Sequence, residues 1–140
     1  MDYTNKMRKV LLDTNFLLIP YQFRVDIFSQ IDRVLTARYG LFVLDKTVDE
    51  LKKIVKEQKG KDRDAARIAL KLIAIKNLEI IKTTGGVMTD DAILEISSKS
   101  DFIVATQDKD LKRRLINQGT TLIILRQKKK VEIVNDKGFA

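Results

Sequence analysis

The stretch Val10-Leu11-Leu12-Asp13-Thr14-Asn15 decides how the rest of the chain is read. Three apolar residues run into an acid, and two small polar residues follow. A short continuous apolar run of this kind reads as a strand buried on both faces. Thr and Asn directly after a strand are good helix openers. In open α/β sheets the C-terminal ends of the strands form the edge where ligands sit. Asp13 therefore reads as the first ligand of a divalent metal site, on which the other acids of interest converge.

The same pattern recurs along the chain. Lys9 to Asp13 is the first strand. Thr14 to Ile19 starts a helix that Pro20 interrupts, and a helical pattern resumes from Phe23 to Leu35, with Phe23, Ile27, Ile31 and Leu35 spaced by four. Leu41 to Leu44 is the second strand and ends on Asp45. Thr47 to Lys59 forms a helix with Val48, Leu51, Ile54 and Val55 inward; Gly60 breaks the chain, and a further helix covers Asp62 to Lys76. Leu78 to Ile81 is the third strand, and Thr83 to Gly86 a turn. Thr89 caps a helix running through Ser98. Phe102 to Ala105 is the fourth strand, followed by a helix through Asn117 that Gly119 ends. Thr121 to Leu125 is the fifth strand, and residues 126–140 form a basic tail with no assigned element. Strands alternating with helices imply βαβ units. The expected fold is α/β: a three-layer αβα sandwich with a central, mainly parallel five-stranded sheet. With no internal repeat, no linker and one proline, residues 1–140 read as one domain.

Composition narrows the chemistry. The chain has 140 residues, 44% hydrophobic and 33% charged, as in an ordinary globular protein. It has no cysteine and no histidine. Thiolate metal sites, His triads and imidazole acid–base catalysis are thereby excluded. Catalysis would rest on carboxylates, hydroxyls, amines and a hard metal ion. The net charge of +8 favours a polyanionic partner. No run approaches the roughly 18 apolar residues of a membrane span, and the polar start lacks the apolar core of a signal peptide. The expected location is the cytoplasm.

Four acids fall at equivalent places. Asp13 ends the first strand, Glu50 lies just after the second, Asp91 begins the helix before the fourth, and Asp108 follows the fourth. In a parallel sheet these positions share one edge. Clustered carboxylates raise each other's pKa unless a cation balances them, and Mg²⁺ or Mn²⁺ suits an all-oxygen set. Each acid also has a plain structural role open to it. Asp90 and Asp91 suit a helix N-terminus, Asp108 suits an N-cap, Asp110 a first turn, and Glu50 an exposed helix face. Their joint placement favours the metal site. Lys52, Lys56 and Lys59, then Arg63, Arg67 and Lys71, then Lys109, Lys112 and Arg113 form basic stripes at helical spacing. Such stripes can be mere solvated faces, yet beside an acidic pocket they suit a nuclease that holds phosphates without reading sequence. Tyr3, Tyr21 and Tyr39 are the candidates for stacking on bases.

The segments Leu11-Leu12-Asp13-Thr14-Asn15, Val48-Asp49-Glu50-Leu51, Asp91-Ala92-Ile93-Leu94 and Ala105-Thr106-Gln107-Asp108-Lys109-Asp110-Leu111 resemble the PIN-domain nucleases, in order and at family-like spacing from about Val10 to Leu125. The likeness is nearest to the small archaeal PIN proteins related to the PIN nuclease of the ribosomal small-subunit processome, with the VapC toxins next. It implies a Mg²⁺- or Mn²⁺-dependent endoribonuclease acting on RNA, with ribosomal RNA as the expected substrate, and a homodimer as often found in the family. It makes Asp13, Glu50, Asp91 and Asp108 the catalytic quartet, with Asp13, Asp91 and Asp108 on the metal. Asn15, Asp90, Thr106 and Asp110 become auxiliary residues. Arg63, Arg67, Lys109, Lys112 and Arg113 would bind RNA. Asp90 and Asp91 are adjacent, and Asp91 is favoured because Ala92-Ile93-Leu94 follows it. The cysteine zinc ligands of larger ribosome-processing relatives are absent.

Competing α/β readings fail at named positions. A phosphoacceptor receiver needs an acid at the end of the third strand, where Lys82-Thr83 stands. An aspartyl phosphatase wants a second acid two residues after the first, where Asn15 stands. Two readings stay open beside ribosomal RNA processing: a VapC-type toxin ribonuclease, and an RNA-binding scaffold of ribosome assembly without catalysis.

Overall fold

The computed structural model describes residues 7–136. Tyr3 and residues 137–140 of the basic stretch lie outside them. The first strand, β1 (Arg8–Leu12), sits at the middle of the sheet. It alternates sides: Val10 and Leu12 pack into one apolar layer and Leu11 into the other. That explains why its sequence is continuously apolar rather than alternating. The remaining strands are β2 (Tyr39–Leu44), β3 (Glu79–Ile81), β4 (Phe102–Ala105), β5 (Leu122–Arg126) and β6 (Lys130–Val134).

Their order across the sheet is β3-β2-β1-β4-β5-β6. The first five strands are parallel, and β6 returns antiparallel to β5. The chain builds outward from β1 to β3, then crosses back to lay β4 on the other flank of β1. Between β1 and β4 the strand order reverses, and a crevice opens there at the C-terminal ends. The register pairs Leu12 with Ala105, so Asp13 and Thr106 emerge side by side.

The expected α/β fold, with helices on both faces of a mainly parallel sheet, is the one observed. The sheet has six strands rather than five. The sixth comes from the stretch to which the sequence pattern assigned no element. A tight turn at Gln127 and Lys128, both left-handed at φ 52° and 57°, folds Lys130–Val134 back onto β5. Neither residue is the glycine, asparagine or aspartate that signals such a turn, so the hairpin was hidden. The far side of β6 is tied to a helix: Arg33 donates to the Val131 carbonyl (2.8 Å), and the Val131 amide donates to Gln30 (3.2 Å).

One face of the sheet carries α1 (Thr14–Leu17), α2 (Ile19–Phe23), α3 (Ile27–Val34), α4 (Asp45–Glu57) and α5 (Gly60–Ile75); the other carries α6 (Thr89–Lys99) and α7 (Lys109–Asn117). Pro20 does not interrupt a helix. It stands in the first turn of α2, where its missing N–H costs nothing. Arg24, left-handed at φ 56°, ends α2, and Asp26 caps α3 by accepting from the amides of Phe28 and Ser29. The helical pattern expected from Phe23 to Leu35 thus starts only at Ile27. Gly60 takes φ 64° at the α4–α5 junction, a conformation that suits glycine. Among the described residues, no helix is long and apolar enough to cross a membrane.

Leu12 is fully buried at the switch point. Leu12→Ala should cost about 2–5 kcal/mol by urea unfolding, and a loss under about 1 kcal/mol would show that the site above it does not rest on a packed strand.

Candidate active site

The site begins with Asp13, which is 4% exposed. Its backbone amide continues the sheet by donating to the Ala105 carbonyl (2.9 Å). Its Oδ1 accepts from the Thr14 amide (2.8 Å) at the start of α1, and its Oδ2 accepts from the Thr106 hydroxyl (2.7 Å) across the β1–β4 seam. The Thr106 oxygen in turn accepts from the Asp108 amide (3.1 Å). Asn15 braces the same loop, its Oδ1 accepting from the Gln107 amide (3.0 Å). Asp108 is the N-cap of α7, with Oδ1 accepting from the Leu111 amide (2.9 Å).

Glu50 approaches from α4. Both of its oxygens accept from threonine hydroxyls, one from Thr14 and the other from Thr89 (2.8 Å). The buried Thr47 hydroxyl lies 3.1 Å from that of Thr14. Two hydroxyl donors from different helices fix the side chain's direction. Thr89 was expected to cap α6. Met88 holds that position instead, without a side-chain cap, and Thr89 turns its hydroxyl to Glu50.

Asp90 and Asp91 differ in surroundings. Asp91 is exposed and takes an ion pair from Arg114 (3.3 Å). Asp90 is partly buried, and its carboxyl is pushed above the ordinary range, first by burial, then by the charges of Asp108, Glu50 and Asp91, with Arg114 opposing. Asp13 is pushed up to about 6, mainly by burial and further by Asp90 and Glu50, against the pull of its Thr106 and Thr14 hydrogen bonds. Asp13, Glu50, Asp90 and Asp108 therefore share one electrostatic neighbourhood. A cleft of about 470 Å³ opens beside them, lined in part by Lys46, Glu50, Thr89, Asp90, Asp91 and Arg114. Among the described residues, no three acids stand close enough to form a ready-made metal cage. In chemical kind the set fits a hard divalent cation: it is all oxygen, and its charges destabilise one another unless a cation intervenes.

The basic residues divide. Arg63 and Arg67 lie on α5, which packs on α4 and α2 and supplies no residue to the acidic cleft. Lys109, Lys112 and Arg113 line a separate groove on the far side of α7. Asp110 pairs with Arg113, and lies 3.9 Å from Arg114. Tyr39 starts β2, at the opposite end of the sheet from the acids, and donates to Asp32 (3.0 Å). Tyr21 leans on Asp64 (3.4 Å). The threonines Thr14, Thr47 and Thr89 and the rim cations Lys46 and Arg114 were not singled out from the sequence. Thr14 lies within the Asp-Thr-Asn motif, so its signal was present; Thr89 read only as a helix opener.

A family profile described as "PIN like domain" matches residues 10–128. Ribonuclease VapC4 of Methanocaldococcus jannaschii is 31% identical over 91% of this chain and 97% of its own length. Ribonuclease VapC9 of Archaeoglobus fulgidus is 32% identical over 91% and 90%. The rRNA-processing protein fcf1 of Schizosaccharomyces pombe is 30% identical over 76% of this chain and 52% of its own. Among solved structures, the PIN domain endonuclease Utp24 superposes with a TM-score of 0.74 at 26% identity, over 91% of this chain and 92% of that one.

The raised Asp13 carboxyl has a stability signature in metal-free protein. Unfolded, it releases its proton near the ordinary 3.8; folded, at about 6. Between those values the folded state binds more protons, so stability present at low pH is lost as pH rises through about 6. Asp13→Asn removes this loss and should gain on the order of 2 kcal/mol over the parent between about pH 4 and pH 7 in urea titrations. A pH-independent difference between the two proteins would mean that burial does not perturb Asp13.

Proposed function

The chain belongs to the PIN-like domain family, and on that footing we propose that it is an endoribonuclease that hydrolyses RNA phosphodiester bonds with Mg²⁺ or Mn²⁺, residues 1–140 acting as one such domain. The reading is supported by the mutual electrostatic influence of Asp13, Glu50 and Asp90, and of Asp90 and Asp108, around the buried Asp13 at the switch point, in a protein of net charge +8. A positive protein gains nothing in folding from a knot of mutually repelling acids, whereas a metal-assisted phosphodiesterase requires one.

Asp13, Asp90 and Asp108 would hold the ion. Asp90 takes the place that the motif likeness gave to Asp91, because it shares the electrostatic neighbourhood of the other acids while Asp91 is engaged by Arg114. Glu50 adds a carboxylate aimed by Thr14 and Thr89. The ion, when bound, lowers the pKa of water and offsets charge on the phosphate. Thr106 and Asn15 keep Asp13 and the loop before α7 in register. Lys46 and Arg114, at the rim of the cleft, hold phosphate oxygens without reading bases. Asp110 pairs with Arg113 and helps to hold Arg114 at the rim beside Asp91. Arg63 and Arg67 would bind only a long RNA that reaches past α4.

Ribosomal RNA processing is the substrate role we favour, supported by the likeness to fcf1 and to the Utp24 endonuclease. A VapC-type toxin is the second reading, favoured by two relatives of that name matched over 90% or more of their lengths. Mapping the RNA cut in cells separates the two: sites confined to precursor ribosomal RNA support the first, and general cleavage relieved by a protein encoded beside it supports the second.

Asp13→Asn should lower Mn²⁺-dependent cleavage of RNA by at least about a hundredfold with the fold retained; a mutant that still cuts sinks the assignment. Asp90→Asn should lose at least about tenfold more activity than Asp91→Asn, and the reverse order in kcat would return Asp91 to the metal.

A further inference from the structure

A second concavity, of about 450 Å³, lies between α7 and the β5–β6 pair. Its floor is aliphatic: Ile116 from α7, Leu122 and Ile124 from β5, and Val134 from β6. Its rim is cationic: Lys109, Lys112 and Arg113 on one side, Arg126 on the other. No acid lines it, in contrast to the neighbouring cleft with Asp49, Glu50, Asp90 and Asp91. The groove exists because α7 is the last helix on its face of the sheet. On the opposite face, α3 reaches across to cover β6.

Its direction ties it to the acids. Lys109 directly follows Asp108. Arg126 ends β5 three residues past Ile123, which is level with Ala105 in the register. Both cations therefore stand at the acid edge. Ile116 lies seven residues further along α7, roughly 10 Å away at the helical rise. The groove starts where the acid site stops and leads away from it.

An aliphatic floor between a row of three cations and Arg126 suits a single strand with bases down and phosphates up. It offers bases a surface without a hydrogen-bonding code, so it would hold RNA without choosing a sequence. Arg113 pairs with Asp110 and Arg126 with Glu132 (3.4 Å), but both pairs are solvent-exposed and weak, and phosphate can replace either carboxylate. Ile116 is 48% exposed, which leaves apolar surface on the groove wall between the cations.

We propose that this groove is a flanking-strand subsite: it takes the nucleotides on one side of the bond cleaved at the acid edge, packing bases on Ile116 and Val134 and holding phosphates with Lys109, Lys112, Arg113 and Arg126. It rests on the ribonuclease reading above, and the test separates the two. Binding of a fluorescein-labelled oligouridylate nonamer is measured across a salt series, with Arg126→Ala and Ile116→Ser each placed in full-length Asp13→Asn protein, and Ile75→Ser, on the exposed end of α5, as control. Mn²⁺-dependent cleavage of the same nonamer by the otherwise wild-type chain is measured in parallel. Arg126→Ala should weaken binding several-fold and flatten the slope of log K against log salt by about 0.7, the value for one phosphate contact to a single strand. Ile116→Ser should weaken binding about fivefold with the slope unchanged, because it removes apolar contact and no charge. Variants that bind like the Ile75→Ser control, in a chain that cleaves the nonamer, overturn the subsite and leave the nuclease standing. The expected losses in a chain that cleaves nothing overturn the nuclease and, with it, the flanking role, leaving the groove a single-strand binding surface. An acidic amphipathic peptide whose binding is lost in Ile116→Ser, with nonamer binding unmoved, overturns the subsite in favour of a protein partner.

Discussion

The buried carboxylate of Asp13 is the constraint on which the rest of the site depends. One oxygen starts α1 and the other holds Thr106 across the seam between β1 and β4. Thr106 passes the restraint on to the Asp108 amide, and Asp108 opens α7. A run of hydrogen bonds thus leads from the central strand to the helix that borders both the acidic cleft and the basic groove. Burying a carboxylate is costly, and here the cost is only partly offset by its donors, so the carboxyl stays protonated to an unusually high pH. The fold tolerates a local instability at the point where it needs a negative charge.

The charge distribution follows from that choice. Acids are gathered at the ends of parallel strands and the starts of the following helices. Cations are kept to the rims, where Arg114 spans Asp91 and Asp110. A chain of net charge +8 attracts a polyanion overall, even with its local concentration of acids at the crevice. Glu50 is held by threonines from two helices rather than by a lysine or arginine.

Most of the fold was legible because β4 and the last three residues of β1 are short apolar runs leading into polar residues, a pattern with few alternatives. Asp13 and Asp108 were legible for the same reason. What escaped depends on contacts distant in sequence. Thr89 looks like any helix opener until α4 delivers Glu50 to its hydroxyl. Asp90 and Asp91 are indistinguishable by type, and only tertiary contacts tell them apart: partial burial near Asp108 for Asp90, and the ion pair with Arg114, 23 residues on, for Asp91. The sixth strand was missed because its turn uses glutamine and lysine in a backbone conformation that their sequence does not advertise. Pro20 was misjudged by one structural position: the same ring that breaks a helix interior begins a helix well.

The contact between α3 and β6 has a further consequence. A sheet that is not closed into a barrel ends in two strands whose outward amides and carbonyls invite another chain to pair with them. Here the β6 side is shut by side chains, since Gln30 and Arg33 take the outward amide and carbonyl of Val131. The β3 side is only three residues long. Neither border offers a template of useful length, so copies crowded along one RNA strand would meet through helices and charged side chains, and not by extending each other's sheets into a fibre.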